Sequence, residues 1–145
     1  MNNPKWVNRI EVAGSADPGS WERQGWTTDA IVQTMARFDS PSDGARLAAG
    51  AVSLTGVAFA GDRGISRVEV SPDAGASWLA AALFPPLSPT TWAFWQAWWQ
   101  PQPPGTCTLV VRAVDGSDKP QTADRADPFP AGATGYHRIR VVGTA

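Results

Sequence analysis

Apolar and polar positions alternate along most of this chain, and Gly, Pro and Asp cut the alternation into short segments. The pattern is clearest from Val52 to Leu83. Val52–Ala60 is built of small and β-branched residues and is followed by a tight Gly61-Asp62-Arg63-Gly64 turn. In Ile65–Ser71, Val68 and Val70 fall on one face and Arg67 and Glu69 on the other. Pro72-Asp73-Ala74-Gly75 makes another turn, and Trp78 opens a third strand that Pro85 and Pro86 end. Period-2 alternation with such punctuation predicts an antiparallel meander with one buried face. Apolar residues at three- and four-residue spacing, which a helix needs, are not sustained. The same pattern predicts strands at Thr34–Phe38, Trp92–Trp99, Thr106–Asp115 and Tyr136–Val142. About seven strands spaced by turns predict an all-β, immunoglobulin-like sandwich. No Cys…Trp…Cys spacing marks an antibody-type domain.

The lead-in is different. Residues 1–32 read as an extended N-terminal arm, and the compact domain as 33–145. The arm carries a strand-like run at Trp6–Val12 that starts abruptly, like the tail of something preceding it. A Gly/Ser/Asp-rich loop with Trp21 and Trp26 follows. Thr28 or Asp29 is placed to cap a short helical turn over Ala30–Gln33. Gly116–Gly135 reads as a loop of about twenty residues, a length that points to binding or docking.

Composition narrows the function. The 145 residues suit one domain able to bury roughly 68–70% of its unfolded surface. The net charge of -1 leaves no basic excess to offset phosphates, which argues against nucleic-acid binding. Charged residues are 17%, while there are 14 Gly, 13 Pro and 8 Trp. That balance fits a β domain with part of its surface covered by a partner. A single cysteine, Cys107, excludes an internal disulfide. No apolar run is long enough to span a bilayer, and Met1–Glu11 lacks the apolar stretch of a signal peptide. The compartment is not indicated.

The central meander, Gly56-x-Ala58-x-x-Gly61-Asp62-Arg63-Gly64-Ile65-x-x-Val68-Glu69-Val70-Ser71-x-Asp73-x-Gly75-x-x-Trp78, resembles the C-terminal dimerisation domain of the sulfite oxidase family of molybdenum-cofactor oxidoreductases. Trp92-x-x-Trp95-x-x-Trp98-x-x-Pro101-x-x-Pro104-Gly105 and Arg112-Ala113-x-Asp115-Gly116 are similar to that domain's second half. Lys5-Trp6-Val7, with Trp21-x-x-x-Gly25-Trp26, resembles the end of the preceding molybdopterin-binding domain. Two positions depart from the pattern. Ala74 stands where the family has Gly, and Pro128–Gly132 lacks the Asn-rich pattern of animal and plant members, which points to a bacterial branch and away from sulfite as substrate.

The resemblance implies a homodimerisation and docking part of an oxidoreductase, one that associates with a molybdopterin-binding domain. The molybdenum cofactor belongs to the parent enzyme, whose cofactor domain supplies the ligating cysteine. Cys107, mid-strand, does not correspond to that ligand, so this chain alone neither holds the cofactor nor turns over a substrate. Arg63 corresponds to an arginine that reaches toward the substrate anion, a role a planar guanidinium suits. Its plainer role is a turn arginine held by Asp62 or a carbonyl.

Trp6, Trp21 and Trp26 are assigned to packing on the cofactor domain, and Trp95 and Trp99 to an interface. The aromatic 92–99 strand reads either as core plus interface or as a sugar-stacking platform on a free-standing carbohydrate- or protein-binding module. His137, the single histidine, reads as structural. Asp115 to Asp118 forms an incomplete calcium pattern, read as a solvated turn.

Overall fold

The computed structural model describes residues 5–15, 17–29, 31–88, 90–101 and 104–144. Among them the chain forms a four-residue helix, α1 (Ser20–Arg23), a 3-10 turn (Gly61–Arg63) and nine strands. The strands are β1 (Met35–Ser40), β2 (Arg46–Leu47), β3 (Val52–Phe59), β4 (Ile65–Ser71), β5 (Leu79–Ala80), β6 (Ala82–Leu83), β7 (Ala93–Trp99), β8 (Gly105–Asp115) and β9 (His137–Gly143). They form two sheets, ordered β1-β3-β7-β6 and β2-β9-β8-β4-β5. All pairings are antiparallel except β2 with β9. With β1, β3, β4, β6, β7, β8 and β9 as A to G, the first sheet reads A-B-E-D and the second holds G-F-C. That is the connectivity of an immunoglobulin-type sandwich.

The predicted third strand, opening at Trp78, is two short strands on different sheets. β5 pairs with β4 and β6 with β7. The chain crosses from one sheet to the other at Ala81, whose N–H still bonds the Val68 carbonyl. The alanines Ala80, Ala81 and Ala82 let it turn this corner without placing a bulky side chain there. Two other expectations fail. Trp6–Val12 is irregular, because its strand-like run finds no neighbouring strand to pair with. Residues 31–33 are not helical, and Ala30 lies outside the described residues. The helical turn sits earlier, at α1, where the Glu22 side chain accepts a hydrogen bond from the Gly19 N–H.

The core lies between the sheets. Inward positions include Leu54, Ala58, Val68, Val70, Leu109, Val111, Ile139 and Val141, all buried. Trp95 and Trp99 also point inward. Trp95 is 1% exposed and meets Phe38 edge-on at 5.5 Å. This corrects their assignment to an interface. Both parities of the 92–99 strand carry aromatics, so alternation alone left open which face is the inner one. Gly56 makes room for the indole. A Cβ there would lie 1.9 Å from the Arg37 carbonyl oxygen and 2.6 Å from the Trp95 ring. Burial of so large a ring stabilises the sandwich by about 3 kcal/mol. Part of this is offset because Trp95 Nε1 has no hydrogen-bond partner among the described residues.

Candidate functional site

The turn between β3 and β4 places Arg63 at one end of the sandwich, beside the end of β8. Gly116 permits this approach, since a Cβ on it would lie 2.1 Å from the Arg63 carbonyl oxygen. The Gly116 N–H in turn bonds the Gly64 carbonyl at 3.2 Å. Arg63 Nε donates to Asp115 Oδ2 at 2.8 Å. Nη2 donates to the Val32 carbonyl at 2.7 Å and to Thr34 Oγ1 at 3.3 Å. Nη1 makes no hydrogen bond among the described residues. The arginine is therefore held, but by Asp115 and the end of the arm. Asp62 is exposed and is not its partner.

Asp115 was read from the sequence as part of a solvated turn, and the structure corrects this. Its side chain is wholly buried. Oδ2 also accepts from the Thr34 hydroxyl, and Oδ1 accepts from the Ser117 and Lys119 backbone N–H groups. Burial, the largest influence, pushes the carboxyl pKa up. The Arg63 hydrogen bond, the two backbone donors and Thr34 together outweigh it, so Asp115 titrates below the ordinary carboxylate range. With both oxygens committed to protein donors, the calcium alternative has no ligand to offer at Asp115. The only hint in the sequence is Asp-Gly closing a buried strand, a pattern that exposed turns share.

A cleft of about 330 Å³ opens beside this latch, lined by Val32, Thr34, Arg63, Asp115, Lys119 and Gln121. Gln121 is buried and ties the long loop to β8. Its Oε1 accepts from the Ala113 N–H, and its Nε2 donates to the Gly135 carbonyl.

The tryptophans of the arm divide. Trp26 finds a partner within the chain, meeting Phe129 of the 116–135 loop edge-on at 5.4 Å. The neighbouring Thr27 N–H bonds the Pro130 carbonyl. Trp21 leans on Trp26 at 6.1 Å but stays half-exposed, and Trp6 is 95% exposed.

The outer faces of the two sheets differ in kind. On the first sheet, Phe94, Trp98, Trp92 and Phe84 are exposed. On the second, Arg46, Arg138 and Arg140 project outward with no carboxylate within ion-pair distance among the described residues. Next to them Arg112 pairs with Glu69 at 2.7 Å and lies 3.8 Å over the Trp78 ring.

Residues 25–142 match the family model of the Mo-co oxidoreductase dimerisation domain. The chain belongs to this family. Among curated proteins it is similar to sulfite oxidase of Gallus gallus, 27% identical over 135 residues, which covers 78% of this chain and 29% of the relative. The mitochondrial sulfite oxidase of Homo sapiens is 29% identical over 136 residues, covering 77% of this chain and 25% of the relative. The chain thus spans under a third of the length of these relatives. Among solved structures, the sulfane dehydrogenase SoxCD from Paracoccus pantotrophus shares the fold, with a TM-score of 0.63 and 23% identity, over 74% of this chain and 30% of that one.

Among the described residues no group of three His, Cys, Asp or Glu side chains is placed to hold a metal ion. Cys107 is a free, half-buried cysteine packed against the core. No described helix is long and apolar enough to cross a membrane. Nothing here favours a free-standing sugar-binding module.

Proposed function

We propose that this chain is the dimerisation and docking part of a sulfite-oxidase-like molybdenum-cofactor oxidoreductase, with the cofactor held by a separate domain of the parent enzyme. The family match over residues 25–142 carries the reading. The side chains of this chain do not fit the cofactor, so no step of the chemistry is assigned to them. Their work is association. Trp6 and Trp21, exposed on the arm, pack on the cofactor domain, and the Arg63 turn meets the same domain at the end of the sandwich. Arg63 contributes one nitrogen, Nη1 with its two N–H groups, toward an anionic substrate, because Asp115, Val32 and Thr34 hold Nε and Nη2.

Reconstitution tests this. The purified chain, mixed with the molybdenum-bearing domain, is expected to form a complex that turns over an anionic substrate. In that complex Arg63→Ala raises KM by about tenfold, the worth of one charge-assisted hydrogen bond. Failure to form a complex contradicts the docking role, and an unchanged KM removes Arg63 from the substrate site.

A further inference from the structure

We propose that two copies of this chain associate through the outer face of the first sheet, β1-β3-β7-β6, with Phe94 and Trp98 as the anchors. The proposal rests on the dimerisation reading above and assigns it a surface. A two-fold contact sets one patch against itself, so the surface must be compatible with its own copy. The two outer faces answer that requirement differently.

The second sheet carries Arg46, Arg138 and Arg140 without carboxylate partners among the described residues. Turned on itself, it would bring like charges together and strip water from them, which costs several kcal/mol. The first sheet has no such conflict. Its one outward cation beside the aromatics, Arg37, already pairs with Asp39 at 3.0 Å and lies 5.3 Å over the Trp92 ring.

The register sets Phe84, Trp92 and Phe94 together on this face and Trp98 further along it, with the Thr55–Gln96 pair between them. Arg37 pairs with Val57 and Val57 with Phe94, while Ser53 pairs with Trp98. The Phe84 N–H bonds the Phe94 carbonyl, which places the two rings on adjacent strands. Trp92 stacks on Phe59 at 6.1 Å. Phe94 is 60% exposed and Trp98 65%, with Phe84 and Trp92 near half. Four aromatics so exposed leave roughly 400 Å² of apolar surface, as much as a whole monomer's largest patch. A stable contact needs about 800 Å² per partner. The aromatics supply about half of it, and Ser53, Thr55 and Gln96, set between and beside the rings on the same face, supply polar contacts. Gln96 Nε2 already donates to Ser53 Oγ at 2.8 Å, which meets part of the hydrogen-bonding need of both side chains when the face closes.

Sedimentation equilibrium of the 145-residue chain and its variants tests the surface. The unmodified chain is expected at twice 15.4 kDa, and Phe94→Glu with Trp98→Glu at the single mass, with unchanged circular dichroism. Should that pair unfold, Trp98→Ser alone reads the same shift as a tenfold or greater rise in dimer Kd. Arg138→Glu with Arg140→Glu is expected to stay dimeric. A dimer that survives loss of both aromatics, or that only the arginine pair disrupts, overturns the surface while leaving dimerisation standing. An unmodified chain that stays monomeric at every concentration overturns the dimerisation reading and the surface with it. Protection of the Phe94 face from hydrogen exchange only on adding the cofactor domain gives the face to that domain and overturns the proposal.

Discussion

His137 Nδ1 accepts a hydrogen bond from the Phe38 backbone N–H at 3.1 Å, which links β9 to the edge strand β1. Protonation of that nitrogen would remove the acceptor. Burial is the main influence holding the proton off, and the Arg37 charge adds to it. Asp39 and Asp43 oppose them only in part, so the pKa lies below the ordinary 6.5. The unfolded chain then binds more protons than the folded one below that value. Stability should be full above about pH 6.5 and fall as pH drops from there through the folded pKa. Because this is the single histidine, its imidazole signals titrate without overlap. An NMR pKa below 6.5, and a flatter acid limb in His137→Gln, are expected; a pKa at or above 6.5 contradicts the account.

The structural role of this histidine was legible from its solitude on a strand. Whether Trp95 or Trp98 faces inward was not, because the decision is made by Gly56 across the sheet. The departure at Ala74 also has a local meaning. Its φ of 62° is the conformation for which the family's Gly is suited, and an alanine there bears a cost of about 1–2 kcal/mol. Its N–H bonds the Thr108 carbonyl, and its carbonyl accepts from Arg138, which fixes the turn all the same.

Among the elements, the latch of Arg63 on Asp115 joins four pieces of chain: the β3–β4 turn, the end of β8, the loop after it, and the stretch leading into β1. Asp115→Ala would leave the Arg63 charge without its counter-ion and two backbone donors without an acceptor. The expected loss is on the order of 3 kcal/mol in denaturant unfolding, with faster hydrogen exchange at Ser117 and Lys119. A loss under about 1 kcal/mol would show that the latch carries little of the stability expected of a buried pair.

The six long strands were legible because alternation and turn residues bound each of them. The crossing at Ala81 was not, since β5 and β6 are separated by a single residue and only their partners tell them apart. β2, two residues long, has no pattern of its own to read and exists by pairing with β9. Arg63 stood out through its Gly-rich turn, whereas Asp115 reached the site from 52 residues away and left no mark in local sequence.

At the scale of the whole molecule, the two sheets close a single core and turn unlike faces outward, one aromatic and one rich in arginine. A sandwich of this size has core enough to fold without staples, so its exposed rings are better explained by partners than by an unfinished interior. The arm makes the same point, with Trp6 exposed while Trp26 is anchored on Phe129. Residues 25–142 place the chain in the dimerisation-domain family, and it spans under a third of the sulfite oxidases it matches; under the proposed function the redox chemistry lies in a separate domain. The most direct test is the intact mass of the species that carries this chain in its native cells, captured by antibody, with molybdenum assayed on the same sample. A species well above 15.4 kDa that contains molybdenum is the predicted result. A lone 15.4 kDa chain free of any molybdenum-bearing partner would contradict the account.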